Sequence, residues 1–510
     1  MTFTAEDSSP PIAELVAAAA HRQPQAPALV VSDQRVPISY RDLLRLSDDL
    51  AARLTRDGLL PGDRVGLRTR GGPEFVAGLL AASRAGLVVV PLDPALPVAD
   101  QNARITAAGA RVVLIEADQA GETAQPPFPC WPISVTAAAS ATRVRLNAAA
   151  APRPSTAAPE GLLPDDALIM FTGGTTGVPK MVPWTHDNIA RAVRSVIATY
   201  RLGPRDATVA VMPLFHGHGL IAALLATLAS AGTVLLPAHG RFSAHTFADD
   251  LQAVRATWFT AVPTIHHILL HAAPAPRATR LRFIRSCSAA LNPETARALR
   301  AVFGAPVLSA YGMTEATHQV SSTKDAREIP AAGLVGRSTG PEIRIVGDDG
   351  TPCPPDTVGE VWLRGPTVVR GYLGDAAATA RTFTDGWLRT GDLGSLSAGG
   401  ELTLRGRIKE LINRGGEKIS PERVEAVLAG HPDVAEAAVF GVPDPVYGEI
   451  VAALIVPTPS ASPSPAALAA FCRERLAAFE VPATIRLTNE LPHTAKGSVD
   501  RRAVAEGFRR

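Results

Sequence analysis

Thr172-Gly173-Gly174-Thr175-Thr176-Gly177-Val178-Pro179-Lys180 packs glycines, threonines and a lysine into one short loop sequence. Glycine lets the backbone turn its N–H groups toward one point at little steric cost. The hydroxyls of Thr172, Thr175 and Thr176 add donors, and Lys180 adds a mobile positive charge. Together these groups suit a polyanion such as the phosphates of ATP. The loop is neither a Walker A motif nor GxGxxG, because no Gly-Lys-Ser/Thr triplet closes it and no helix starts at the lysine. Glu315, in YGMTE at 311–315, offers a hard oxygen of the kind Mg2+ takes. Asp392, in TGD at 390–392, is an acceptor in a turn sequence. His216, His218, Arg241, Arg285, Ser288 and His318 form a basic, polar set. Arg can clamp a carboxylate with two hydrogen bonds, and His can donate one more. His267 and His271 have the i,i+4 spacing of a metal pair. No glutamate or third ligand accompanies them, so they read as helix-surface or core residues.

Taken in order and at their spacing, TGGTTGVPK, YGMTE, TGD and GRIKELINRGGEKISPERVE (406–425) resemble the adenylate-forming superfamily. That superfamily holds acyl-CoA synthetases, firefly-type luciferases and peptide-synthetase adenylation domains. The resemblance runs from about Ser39 to Arg502. It implies that Thr172, Gly174, Thr175, Thr176 and Gly177 bind the phosphates, with Lys180 as a catalytic cation. It further implies that Glu315 holds Mg2+ with the help of Thr175 or Thr176, and that Thr314 contacts the α-phosphate. Tyr311 would stack on adenine, as its flat face allows. Asp392 and Arg407 would grip the ribose.

The acid pocket sharpens the expectation. His216 in PLFHGHG matches the family's gating histidine, with His218 two residues on. The segments around Arg241 (PAHGRFSAHTF), TAVPTIH and RSCSAAL resemble the oxalate-activating CoA ligases. Polar and basic groups at His216, His218, Arg241, Ser288 and His318 imply a very small anionic acid, with the thiol of CoA as acceptor. Two other outcomes remain open at this level. One is a diazotase-like enzyme passing activated nitrous acid to an aryl amine. The other is a non-catalytic nucleotide-binding derivative.

The family pattern breaks near the C-terminus. Pro492-His493-Thr494-Ala495-Lys496-Gly497-Ser498 places serine where the family lysine stands and puts Lys496 two residues earlier. On a strand, two residues keep the face but move the Cα by about 7 Å. Glu480 and Ala483 replace lysines that relatives carry near the nucleotide of CoA, and Gly173 replaces a serine.

These groups need a scaffold. At 510 residues, the chain exceeds what one core supports. Short apolar strands at 64–67, 88–91, 112–115, 208–212, 233–236, 258–262 and 282–285 alternate with helical stretches such as 73–85. Such alternation predicts an α/β fold with parallel sheets covered by helices. Residues 133–160 read as a surface excursion, 340–400 as a β-rich subdomain, and the C-terminal part as a small α+β domain. The expected division is a large adenylation domain over 1–405, a hinge at 406–409 with Lys409 at the hinge position, and a mobile small domain over 410–510. A net charge of +2 gives no field for nucleic acid or membranes. The four cysteines lack CxxC spacing, which fits a reducing cytoplasm. No signal peptide or membrane span is expected.

Overall fold

The computed structural model describes residues 10–32, 35–119, 128–138, 141–148, 150–155, 157–172, 179–272, 279–324, 328–459, 461–493 and 499–508. Three sheets carry the fold. In the seven-stranded sheet, Arg64–Arg68 lies between Val88–Pro91 and Val112–Glu116, all parallel. Asp166–Thr172 runs parallel to Val88–Pro91, and Lys180–Thr185 turns back on it as an antiparallel edge. The run Val88-Val89-Val90 is apolar throughout because both faces are covered by helices.

The second sheet has 14 strands. Ala207–Val209, Thr233–Leu236, Trp258–Ala261, Phe283–Ser286 and Val307–Tyr311 form its parallel part. From Ser321–Ser322 onward the pairing is antiparallel, through Leu334–Ser338, Glu401–Arg407, Trp387–Leu396, Gly359–Arg364 and Glu342–Val346. The β-rich region is thus continuous with the parallel half, joined at Val307–Tyr311. A third, five-stranded sheet uses only residues after 411, and its core of Ile412, Val424, Val439, Val451 and Leu468 is its own.

The expected surface excursion at 133–160 is corrected in its first part. Cys130–Ala138 and Ala141–Leu146 pair as antiparallel strands at the sheet edge. The cause is a period-two pattern hidden among small residues: Trp131, Ile133 and Val144 are buried. Burying a side chain of the size of Ile133 is worth roughly 1.5–3 kcal/mol, enough to hold the segment on the sheet.

Two caps position the site. Thr185 and Asn188 form a capping box that starts helix His186–Tyr200 directly after strand Lys180–Thr185. Ser420 accepts from the Arg423 N–H at 3.3 Å and starts helix Pro421–Leu428, with Pro421 in its first turn. Gly406 lies against that cap at φ +130°. A Cβ there would stand 2.7 Å from Ser420 Oγ and Glu422 Oε2, so only glycine allows this approach. Arg501 then ties Glu410, Glu422 and Glu425 into one ionic group beside it. Among the described residues no helix is long and apolar enough to cross a membrane.

Candidate active site

Strands Asp166–Thr172 and Lys180–Thr185 form a hairpin in which Thr172 stands opposite Lys180. Residues 173–178, with Gly174, Thr175, Thr176 and Gly177, lie outside the described residues. The flank is anchored to the YGMTE turn in two ways. Trp184 donates its ring N–H to the Thr314 carbonyl at 2.8 Å. Tyr372 bridges the rest: Lys180 Nζ sits 4.4 Å from its ring centroid, and its hydroxyl donates to Glu315 Oε1 at 2.9 Å. Burial and the Glu315 charge push the Tyr372 phenol well above its ordinary range, so it stays a donor. Glu315 Oε2 has no hydrogen-bond partner among the described residues. A carboxylate held by one oxygen and open at the other fits Mg2+, which takes a carboxylate or two and keeps waters.

On the second side, Tyr311, Asp392 and Arg407 come together. Asp392 and Arg407 are cross-strand partners, and Arg407 Nε lies 3.0 Å from Asp392 Oδ1. Tyr311 donates its hydroxyl to Asp392 Oδ2. The Tyr311 ring is largely buried beside Ala316, Val320 and Leu363. Asp392 is also buried, which raises its pKa, while Arg407 and Tyr311 pull it back down. Arg407 in turn is held charged chiefly by Asp392.

The third group gathers the residues expected to face the acid. His218 Nδ1 meets Ser288 Oγ at 3.1 Å, and the rings of His218 and His318 stack at 5.2 Å. Behind them lies Arg285, completely buried in strand Phe283–Ser286. No carboxylate forms an ion pair with it among the described residues. Its partners are Tyr200, His218, Thr260, His318 and Gln319. Burial first, then the Arg285 charge, drives both His218 and His318 well below the usual histidine value. Ser288, Thr317 and His318 all take positive φ (73°, 49° and 81°). For non-glycine residues such backbone costs on the order of 1–3 kcal/mol each, and its clustering here aims these side chains. His216 stands beside the group, acts on His218, and sets its ring edge-on to Phe215 at 4.8 Å. The turn after Pro213 continues as a π-helix, His218–Leu225, a form found mostly at functional sites.

One backbone crossing joins the histidine group to Glu315. A Cβ on Gly312 would lie 1.6 Å from the His318 carbonyl oxygen, so the chain doubles back on itself between Tyr311 and His318. Glu315 sits at the turn of that loop.

Other expected residues fall elsewhere. Arg241 is exposed and lines a separate surface cavity of about 530 Å3 with Arg70, His239, Ser243 and Thr246. It makes no hydrogen bond or ion pair with the histidine group among the described residues. Lys496 and Ser498 lie in 494–498, outside those residues; their flank His493 pairs with Glu436 at 2.7 Å. Glu480 is a structural residue, accepting from Ala477 N–H and from Arg423. His267 bonds Thr295 and stacks on His271, which is a helix-packing role. Sequence reasoning missed Tyr372, Trp184, Tyr200, Thr260 and Gln319. The signal in the sequence is Arg285 itself, a charge within the interior parallel strand Phe283–Ser286.

Comparison with known proteins bears on this arrangement. Residues 16–373 match the model of the family "AMP-binding enzyme", and 423–498 match "AMP-binding enzyme C-terminal domain". An oxalate–CoA ligase of Arabidopsis thaliana is 42% identical over 96% of this chain and 97% of its own length. A sulfoacetate–CoA ligase of Cupriavidus necator is 36% identical, over 96% of each. ATP-bound MatB from Rhodopseudomonas palustris superposes with TM-score 0.84 at 29% identity, over 97% of this chain and 99% of MatB; its apo form gives 0.74.

Proposed function

Since this chain belongs to the AMP-binding enzyme family and is an AMP-forming acid ligase using ATP and CoA, we propose that its acid is a small dianion of the oxalate class. One observation carries this reading: a fully buried guanidinium, Arg285, lacks a carboxylate partner among the described residues. A buried charge without a counter-ion costs several kcal/mol. An acid bearing a second anionic group, bound beside Ser288 and His318, would supply that counter-charge. An apolar acid would leave the cost standing and gain no contact from those two polar side chains.

The chemistry follows in two steps. A carboxylate oxygen of the acid attacks the α-phosphorus of ATP, forming the acid–AMP anhydride as the bond to pyrophosphate breaks. Lys180 is assigned to neutralise charge on the departing pyrophosphate, and Thr314 to contact the α-phosphate. Asp392 accepts from the ribose hydroxyls while Arg407 covers them. Glu315 would hold Mg2+, which would supply charge stabilisation for the phosphates. The small domain, from 410 onward, then turns about 406–409 and the CoA sulfur displaces AMP, giving the thioester. The relatives that act on oxalate and sulfoacetate, both small and doubly anionic, support this choice of acid.

The test is AMP release from ATP with Mg2+ and CoA across oxalate, malonate, sulfoacetate, 4-coumarate and nitrite, the last also with an aryl amine. Oxalate or another short dianion should give the highest kcat/KM. Preference for 4-coumarate, or turnover that needs nitrite plus amine, would refute the assignment.

A further inference from the structure

We propose that Arg285 is a positioning residue: it fixes His218 and His318 as Nδ1–H tautomers, so that the Ser288 hydroxyl and the His318 ring donate to the acid while the guanidinium never touches it. The proposal rests on the small-dianion reading of the pocket and assigns how that pocket recognises charge.

A guanidinium carries five N–H donors. Here all three of its nitrogens donate to protein acceptors. Nε donates to Tyr200 Oη at 2.9 Å. Nη1 donates to Thr260 Oγ1 at 3.0 Å and His218 Nε2 at 3.2 Å. Nη2 donates to His318 Nε2 at 3.1 Å and Gln319 Oε1 at 3.2 Å. With every nitrogen engaged, a bidentate clamp on a carboxylate, the role that the residue type alone would suggest, would have to displace these partners.

The consequence passes to the rings. A nitrogen that accepts from Arg285 cannot carry a proton, so each neutral imidazole holds its proton on Nδ1. For His218 a second contact agrees: Thr260 Oγ1, itself accepting from Arg285, lies 2.6 Å from the same Nε2 and turns its hydroxyl proton to it. His218 Nδ1–H then donates to Ser288 Oγ, which frees the Ser288 hydroxyl proton to point outward. Ser288 is exposed at this place, and its backbone stands at φ 73°. His318 Nδ1 has no hydrogen-bond partner among the described residues, and its backbone stands at φ 81°. Two donors therefore face the pocket, backed by a cation one layer behind. The titratable groups acting on His218 are Arg285, His318, His266 and His216, and on His318 it is Arg285. All are basic, so none favours ring protonation.

The direct test is 15N NMR of the full-length protein with labelled histidine, at neutral pH and without substrate, assigned by the signals lost in His218→Gln and His318→Gln. Both rings should show a protonated Nδ1 and an unprotonated Nε2; an Nε2–H form of either ring overturns the proposal. Arg285→Met should release the tautomers into mixtures and raise KM for oxalate at least tenfold, leaving KM for ATP unchanged. Arg285→Lys, which retains N–H donors, should recover part of the loss. A raised KM in Arg285→Met with both rings still Nδ1–H would mean direct contact with the acid and would also overturn the proposal. If Arg285→Met does not fold, the tautomers of the native protein decide alone. Because they are read with no acid present, inertness toward oxalate would strike the substrate assignment and not the positioning role.

Discussion

Tyr372 offers the sharpest test of how the phosphate side is built, because one side chain serves two groups through different atoms. Tyr372→Phe removes the hydroxyl that donates to Glu315 Oε1 at 2.9 Å and keeps the ring under Lys180. A hydrogen bond to a charged partner contributes about 1.5–3 kcal/mol. Glu315 is half-buried and water can replace the lost donor, so the lower end applies. About 1.4 kcal/mol corresponds to a tenfold fall in rate. Tyr372→Leu also removes the contact between Lys180 and the ring, which adds roughly 0.5–2 kcal/mol. The assay is acid-dependent exchange of pyrophosphate into ATP, with Mg2+ titrated. Tyr372→Phe should lose about tenfold and demand more Mg2+, since its carboxylate is no longer held in one orientation. Tyr372→Leu should fall at least about twofold further, the lower end of what the lost cation–ring contact allows. Equal activity of Tyr372→Phe and the native protein, or no gap between the two variants, would refute the bridging role.

Three more outcomes are expected. Glu315→Ala should abolish both pyrophosphate exchange and AMP release; retained turnover removes the magnesium assignment. Asp392→Asn keeps an acceptor for Tyr311 but deletes the charge opposite Arg407, so KM for ATP should rise roughly tenfold or more while the acid KM holds; an unchanged ATP KM speaks against the ribose role. His218, His266 and His318 are buried with depressed values, His266 down to about 3. The unfolded chain therefore binds protons first as pH falls below about 6.5, and folding stability, complete above that pH, declines toward acid by up to about 1.4 kcal/mol per unit per histidine. Urea unfolding between pH 5 and 7 reads this slope, and a flat profile contradicts neutral burial.

Much of the architecture could be read before any coordinates. The alternation at 64–91 was plain because Val88-Val89-Val90 is bounded by a helix that starts on Pro73 and by Pro91. The strand pair around 130–146 was hidden because the run Ala137-Ala138-Ala139-Ser140-Ala141 between its larger residues masks the period of two. In the site, Glu315, Asp392, Arg407, His218, Ser288 and His318 stood out by type and spacing. Arg241 reads as part of the pocket because it is a basic residue near the motif, and in the structure it lines a cavity with Arg70, His239, Ser243 and Thr246. Tyr372 gave no signal: a tyrosine in a loop has no period, and its meaning comes from contacts with residues far along the chain, Lys180 and Glu315. Tyr200 is similar, since a helix-end aromatic reads as core until Arg285 is seen against it.

The fold-back at Gly312 has an evolutionary side. The carbonyl of His318 rests where any side chain at 312 would have to go, so the carboxylate at 315 and the ring at 318 ride on a single tight knot of chain. Selection cannot remodel the discriminating end of that knot without disturbing the catalytic end. New acid preferences should therefore arise on the opposite wall, along Phe283–Ser286 and the helix that begins at His218, where replacements leave the knot intact.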